Sequence, residues 1–420
     1  MNKKIIFYYL LLLALFLSWQ DPVSLPGPVM RIAYLVAFIV PVYFLDKKLL
    51  PIIVALFLTL TTHGYSTSYM PAVLTTYIIT LGAGLLVLRQ PLRETPAAKK
   101  IIIILIMMLI YVTVRNLFDA NESFQITNAL LLTIIILYYV DFSDRTQLHE
   151  LSNAFAAAAL ILSVLLLINR GVYVSEYGTF ERVGFNDINY SACVVSLGVV
   201  VSMVELFSRD NSKNKGDAIS KVLYISTIIV SLFALALNAS RGSLLSIAVP
   251  FVVLLFFSKA NGMYKFLGLA LIVALIVYMY NNSYFELLEA RIMEEDGTGT
   301  HRTEIWINKL EAFAACNPIE WLFRLGYQGG RNLAIDKIIV PAFHNDFLAM
   351  LVEYGFIGFI TFIYFLTKPL RILRSYKSKL PGTLAMFLGL SIICFTLEPF
   401  AAGRLPYYMF MIYLVLYAKS

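Results

Sequence analysis

The sequence predicts an all-α fold, a polytopic bundle of transmembrane helices. Hydrophobic residues make up 60% of the 420 residues and charged residues only 14%, whereas soluble domains carry about 25% charged residues. Long apolar runs recur along the whole chain. Because a helix satisfies its own backbone polar groups in lipid, these runs predict membrane-spanning helices.

Fourteen apolar runs are candidate spans, and fourteen is the preferred count. Several of them, notably 49–62 and 405–418, fall short of the roughly 20 residues that a span needs, so twelve spans is the alternative. The chain then divides into residues 1–280 with transmembrane helices 1–11, an outer segment 281–346, and residues 347–420 with helices 12–14. The predicted spans are 5–18, 31–45, 49–62, 71–88, 101–118, 124–140, 153–168, 189–207, 222–238, 243–258, 265–280, 347–367, 382–399 and 405–418.

The basic residues orient this bundle. With the N-terminus in the cytoplasm, 21 of the 33 Lys and Arg residues fall on the inner side and 12 on the outer side. That excess agrees with the positive-inside rule. The net charge of +7 is therefore mainly a signal of topology, and it gives no support to a nucleic-acid partner.

The outer segment between predicted helices 11 and 12 contains an amphipathic helix. Ile305, Trp306, Leu310 and Phe313 follow helical spacing, and an Asn-Pro pair after them ends the run. We expect this helix to lie along the outer membrane surface with its apolar face toward lipid.

Arginine is concentrated on the outer side of the predicted bundle. Ten of the twelve outer basic residues are Arg, against six of 21 on the inner side. A guanidinium binds phosphate oxygens bidentately and keeps its charge. The outer face is therefore a candidate site for an anion, with phosphate or diphosphate on a lipid as the leading candidate. Lipid headgroups and loop carboxylates are the alternative partners.

Arg241 is the strongest of these candidates. Ser240 and Arg241 lie between two apolar runs, and Ser240 is expected to cap the following helix. A helix N-terminus favours an anion, and Arg241 adds a full charge there; a simple interfacial arginine is the alternative. Arg302 precedes the amphipathic helix and either binds an anion or pairs with a nearby carboxylate. The segment that begins at Arg182 either shapes the same pocket or caps the next helix.

A polar pair, His344 and Asn345, stands at the start of the apolar run FHNDFLAMLVEYGFIGFI. Histidine titrates near neutral pH and can act as a general base. A polar interfacial histidine is the alternative interpretation, and His301, next to Arg302, is the rival base. No outer cluster of carboxylates is present in the sequence, so neither a metal ion nor another cofactor is expected.

Three segments, in this order, resemble the O-antigen ligase and O-antigen polymerase superfamily of bacterial membrane glycosyltransferases. They are SRGSLLS at 240–246, GTGTHRTEIWINKLEAF at 297–313, and the histidine segment, in which Gly355 and Gly358 follow His344 at the family's spacing. The resemblance implies a fold of the GT-C type in the bacterial inner membrane. It also implies inverting glycan transfer from undecaprenyl diphosphate on the periplasmic side, without a metal.

The resemblance also implies roles for individual residues. Arg241 and Arg302 would bind the diphosphate leaving group, and His344 would serve as the general base. The other pocket candidates are Arg182, Ser240, His301 and Asn345.

The acceptor is lipid A–core for a ligase, which is the preferred prediction. A second lipid-linked glycan is the acceptor for a polymerase, and a protein is the acceptor for a related O-glycosyltransferase. The alternative of another class is a flippase for lipid-linked oligosaccharide. Such transporters show inverted repeats and polar groups at mid-membrane depth, whereas the polar residues of this chain gather at one face.

Overall fold

The computed structural model describes residues 98–117, 125–141, 144–168, 170–175, 178–183, 188–207, 218–293, 302–323, 343–373 and 379–419. Four of the predicted spans and one candidate base lie outside these residues. They are the spans 5–18, 31–45, 49–62 and 71–88, and the base His301.

Helices dominate the part of the chain that the structure describes. In order, with one β-hairpin between α3 and α4, they are α1 (Lys99–Leu117), α2 (Gln125–Tyr139), α3 (Arg145–Ile168), α4 (Ile188–Phe207), α5 (Ala218–Asn238), α6 (Arg241–Phe257), α7 (Gly262–Asn281), α8 (Glu286–Met293), α9 (Arg302–Ala314), α10 (Pro318–Phe323), α11 (Asp346–Leu366), α12 (Lys368–Ile372), α13 (Leu380–Thr396) and α14 (Leu405–Lys419).

Four of the described helices, α3, α4, α5 and α11, are long and apolar enough to cross a membrane. The count becomes five if α7 and α8, which meet at a bend of 77°, form one broken span. Helices α2, α6 and α13 are apolar but shorter. The helical membrane fold is therefore confirmed, whereas the predicted total of twelve to fourteen spans stays a prediction.

A β-hairpin corrects the prediction that all regular structure is helical. Strand β1 (Arg170–Ser175) pairs antiparallel with β2 (Gly178–Val183), with Gly171 opposite Arg182. Alternating Val and Tyr residues before Gly178 favour strands, and this local signal outweighs the helical bias of the flanking runs. Strand β2 packs against α3, α5 and α8, so the hairpin lies over one end of the bundle.

Helix α6 lies at the centre of the packing that positions the site. It packs against α4 and α13, and the Ser246 hydroxyl donates to Ser196 Oγ on α4 at 2.8 Å. A hydrogen-bonded serine pair between helices satisfies polar groups that lipid could not. Helix α14 is buried along almost its whole length, and its Tyr413 hydroxyl lies 3.0 Å from Ser152 Oγ on α3.

The predicted amphipathic helix is confirmed as α9, and the Asn-Pro pair after it both ends one helix and starts another. Asn317 accepts hydrogen bonds from the amides of Ile319 and Glu320, each at 3.0 Å, and so caps α10. The apolar residues of α9 divide: Phe313 is buried in the protein, whereas Leu310 is exposed. Placement of this helix on a membrane surface stays a prediction.

Several helix termini meet at one end of the bundle, which we call the site end. The C-termini of α3, α5 and α13 reach it, as do the N-termini of α4, α6, α11 and α14. Hydrogen bonds across it join Asn238 to Val183, Asp346 to Leu397 and Tyr407 to Tyr190.

Candidate functional site

Two arginines hold the turn that leads into α6. The carbonyl of Asn238 accepts a hydrogen bond from Arg182 Nε at 3.2 Å, and the carbonyl of Ala239 accepts one from Arg291 Nη1 at 2.5 Å. Ala239 has a left-handed φ of 55°, which costs about 1–3 kcal/mol for a residue other than glycine. The two guanidinium groups therefore fix the strained backbone that places Arg241.

Arg182 lies in an environment that disfavours its charge. Its Cζ is 5.3 Å from the centre of the Tyr173 ring, on the same face of the hairpin. Burial, followed by the positive charge of Arg291, lowers the pKa of Arg182 to about 10, while Tyr173 acts in the opposite direction. A bound anion near this pair of guanidinium groups would offset the repulsion between them.

Arg241 is the first residue of α6 and is half-buried. Ser240 takes the capping position before it, as predicted, but its hydroxyl makes no capping hydrogen bond. The predicted side-chain cap is therefore wrong. The Ser240 carbonyl instead accepts from the Ser243 hydroxyl at 2.7 Å and from the Leu244 amide at 3.2 Å.

Arg302 binds the C-terminus of α13, which packs against the N-terminus of α6. Its Nη1 donates to the carbonyl of Thr396 at 3.2 Å, and a cation suits the partial negative charge of a helix C-terminus. Gly242 packs against Thr396 so closely that an added Cβ would lie 2.6 Å from Thr396 Oγ1. Thr396 thus touches both the residue after Arg241 and Arg302 itself.

His344 is half-buried, and its backbone has a left-handed φ of 50°. The preceding carbonyl, that of Phe343, accepts from the Trp306 indole at 2.8 Å. Trp306 lies one turn after Arg302 on α9, and its ring packs against Phe395 at 5.4 Å between ring centres. Helix α9 therefore supports both Arg302 and the backbone of His344.

Asn345 caps α11. Its Oδ1 accepts from the amides of Phe347 and Leu348 at 2.9 and 3.2 Å, and the side chain is buried. Asn345 was predicted as a pocket residue, but its side-chain oxygen caps α11, because the first amides of a helix lack partners within the helix.

The segment 396–401, which we call the 396–401 turn, joins these elements. The Leu397 carbonyl accepts from the Asp346 amide at 2.9 Å, and Glu398 Oε2 accepts from the Phe343 amide at 3.0 Å. Asp346 Oδ1 accepts in return from the amides of Phe400 and Ala401 at 3.0 and 2.8 Å. One short turn therefore contacts the segments that carry all three predicted principal residues.

The structure thus groups the predicted residues in two neighbouring clusters at the site end. Arg182, Ser240 and Arg241 surround the turn before α6, and Arg302, His344 and Asn345 surround the 396–401 turn. Gly242 and Thr396 are the contact between the clusters.

Sequence reasoning missed three residues of this arrangement. Arg291 belongs to the outer arginines but lies in no motif. Asp346 and Glu398 look like ordinary acidic residues at the ends of apolar runs. The one available signal in the sequence was that Asp346 follows His344 and Asn345 directly. The sequence does not indicate which residues its carboxylate binds.

Among the described residues, no group of three or more His, Cys, Asp or Glu side chains is arranged to hold a metal ion. In the described part of the chain, the site is rich in guanidinium groups and contains the imidazole of His344.

Comparison with known proteins gives one family. Residues 226–363 match a family model described as O-antigen ligase. The match covers α6 and α9, most of α5 and α11, and therefore Arg241, Arg302 and His344; it ends before the 396–401 turn. No curated protein matches the chain.

Proposed function

Because this chain belongs to the O-antigen ligase superfamily, we propose that it transfers a glycan from undecaprenyl diphosphate to lipid A–core. At the level of the family it is a glycosyltransferase-type enzyme that uses lipid-linked glycans. The donor, the acceptor and the residue roles below are parts of the proposal.

The observation that carries the proposal is the contact between the two clusters. Thr396 contacts Gly242 and accepts a hydrogen bond from Arg302, and the next two residues bind the backbone beside His344. Two guanidinium groups and an imidazole on one end of a bundle suit a reaction that generates phosphate charge and releases a proton.

In the proposed reaction, the acceptor hydroxyl oxygen forms a bond to the anomeric carbon as the bond from that carbon to the diphosphate oxygen breaks. His344 takes the hydroxyl proton, a contribution worth roughly 10²–10⁴ in rate. The bond electrons leave with the diphosphate, whose added charge Arg241 and Arg302 stabilise. Attack opposite the leaving group inverts the anomeric configuration.

The N-terminus of α6 adds to the anion site. The Ser240 side chain does not cap this helix, and helix N-terminal amides attract phosphate oxygens. Arg182 and Arg291 hold the preceding turn, so we propose that they align this terminus with the diphosphate. In the proposed orientation, the site end faces the periplasm from the inner membrane.

The proposal is tested with purified protein in proteoliposomes that contain undecaprenyl-diphosphate glycan. Lipid A–core and a second lipid-linked glycan are supplied in separate reactions. We expect sugar on lipid A–core, and a loss of about 10²-fold or more in kcat for His344→Ala. Arg241→Ala and Arg302→Ala should each lose about 10²–10³-fold, by analogy with removal of a group that stabilises transition-state charge.

Arg371→Ala is the matched control. Arg371 lies on α12 with its Cζ 4.3 Å from the Tyr364 ring centre, outside both clusters, so this variant should keep full transfer. Elongated glycan on undecaprenyl diphosphate would identify a polymerase instead. Transfer in neither reaction, with loss of glycan translocation in the arginine variants, would contradict the proposal in favour of a flippase.

A further inference from the structure

The backbone of His344 is held in a conformation that it would not adopt by itself. A left-handed φ such as its 50° is uncommon outside glycine, although histidine is among the residues enriched there. Such strain persists only where surrounding contacts determine the backbone position. Two acidic residues make contacts on either side of His344: Glu398, which follows α13, and Asp346, the first residue of α11.

Glu398 acts on the residue before the histidine. Its Oε2 accepts the amide proton of Phe343 at 3.0 Å, and the Glu398 side chain is only 4% exposed. With the Trp306 indole on the Phe343 carbonyl, both polar backbone groups of that residue are bound. Phe343, the residue that precedes His344, is therefore held at both of the peptide bonds that flank it.

Asp346 acts from the residue two positions after the histidine. Its carboxylate is fully buried and accepts three contacts from backbone amides: Oδ1 from Phe400 and Ala401, and Oδ2 from Phe400 at 3.1 Å. Its own amide donates to the Leu397 carbonyl. These bonds cross to residues more than 50 positions away.

Helix capping does not explain Asp346, because Asn345 already binds the first amides of α11. Burying a carboxylate is costly unless hydrogen bonds compensate for the lost water. Its bonds instead hold the 396–401 turn, and Thr396 at the start of that turn binds Arg302.

We propose that Asp346 and Glu398 are positioning residues for the transfer reaction, which clamp the 396–401 turn to both sides of His344 and so place its imidazole relative to Arg302. This inference rests on the proposed function, in which His344 is the base. Both side chains are buried, so in this role neither carboxylate needs to touch the substrate. Glu398 and the turn also lie outside the segment that matches the family.

A clamp of this kind affects the chemical step more than donor binding. Arg241 and Arg302 lie on α6 and α9, and neither helix contains Asp346 or Glu398. We therefore expect the donor to keep its phosphate contacts when the clamp is lost. Displacement of the imidazole by about 1 Å can cost about 10²-fold in rate. We therefore expect Asp346→Ala and Glu398→Ala to lower kcat about 10–100-fold and to leave the donor KM within about threefold.

The decisive experiment is a double-mutant cycle on kcat in the proteoliposome assay. If Asp346 acts through His344, Asp346→Ala should lower kcat in the wild-type background and change it by less than about twofold in the His344→Ala background. Asp346→Asn should keep most of kcat, because the amide oxygen can still accept the two bonds that Oδ1 makes now. The same cycle is run with Glu398→Ala, which removes the hydrogen bond to the Phe343 amide.

Asp144→Ala is the matched control for loss of a carboxylate that binds backbone amides. Asp144 Oδ1 accepts from the amides of Thr146 and Gln147 at the start of α3, away from the site end. This variant should lower the midpoint of thermal unfolding, because the first amides of α3 lose their cap, and keep full kcat. Size-exclusion profiles and thermal unfolding establish that each variant is folded; if Asp346→Ala is not, the Glu398 cycle decides.

Equal losses from the carboxylate variants in the wild-type and His344→Ala backgrounds would overturn the inference, because the carboxylates would then act on the fold in general. A rise in donor KM with unchanged kcat would also overturn it. If His344→Ala itself leaves kcat unchanged, the proposed base is wrong and the inference that rests on it fails as well, whereas equal losses beside an impaired His344→Ala overturn the clamp alone.

Discussion

Gly242 allows α6, which carries Arg241, to contact Thr396, the residue that also binds Arg302. An added Cβ would lie 2.6 Å from Oγ1 of Thr396 and 2.9 Å from its Cβ, distances at which atoms overlap. Helix α6 can approach the C-terminus of α13 because this position has no side chain. The separation of Arg241 from the Thr396 carbonyl that binds Arg302 depends on that approach.

Gly242→Ala should therefore push Thr396 away from α6 and move the Arg302 anchor. We expect a loss of about 1–3 kcal/mol in unfolding free energy from overpacking and about 10–100-fold in kcat from the displacement. Thermal unfolding in detergent and the transfer assay measure the two effects. Adding Thr396→Ala, which removes Oγ1 and Cγ2, should restore part of both.

Gly262→Ala is the control for this substitution. Gly262 begins α7, and no atom lies within 4 Å of a Cβ built there, so the variant should unfold and react like the wild type. Full activity of Gly242→Ala would show that the contact with Thr396 does not set the position of the arginines.

At the scale of elements, α11 is one helix with a sharp break at Gly355. This residue has φ 65° and ψ −172°, a region that only glycine populates readily. An added Cβ would also lie 2.6 Å from the Leu322 carbonyl oxygen, so the break lets α10 pack directly on α11. Gly355 therefore permits close packing between two helices. At Gly358 the nearest atom to an added Cβ belongs to Tyr354 of the same helix, so the crowding there lies within α11.

Gly355→Ala should destabilise the contact between α10 and α11. Backbone strain alone costs about 1–3 kcal/mol, and the clash with α10 adds to it. We expect a lower midpoint of thermal unfolding and a shifted tryptophan emission, since Trp321 of α10 also approaches this glycine. An unchanged midpoint would mean that α11 accepts a side chain at the break.

The hairpin and α8 are the elements that carry the second pair of arginines. The bend of 77° between α7 and α8 turns the chain back over the bundle, which brings Arg291 to the carbonyl of Ala239. Strand β2 brings Arg182 to the neighbouring carbonyl. Two separate elements therefore fix one turn of two residues.

For the whole molecule, the three cysteines offer a test of orientation. None of the three forms a disulfide: Cys193 and Cys394 are buried, and Cys316 is partly exposed between α9 and α10. A maleimide that cannot cross membranes should label the protein in spheroplasts and not in sealed inside-out vesicles, because we predict that this segment faces the periplasm. Cys316→Ala should abolish the label; labelling from the cytoplasmic side alone would reverse the predicted orientation.

The sequence by itself determined the helical membrane class of the protein and singled out the residues that we propose for its chemistry. Apolar runs that predict helices are local patterns, and the described runs appear as helices. Arg241, Arg302 and His344 stand out because each lies where polar residues interrupt an apolar chain, and the three segments resemble one family. The hairpin was missed because its alternating residues are few and lie between two much stronger apolar signals.

Only the tertiary structure decided which of these segments meet. Arg302 and Thr396 are 94 positions apart, and Asp346 lies 54 and 55 positions from its two amide partners. No periodicity in the sequence encodes such a pairing, because it depends on how closely α6, α11 and α13 pack. The 396–401 turn acquires its place in the site from that packing, since its contacts other than that of the Glu398 carboxylate are made largely through backbone groups that every residue carries.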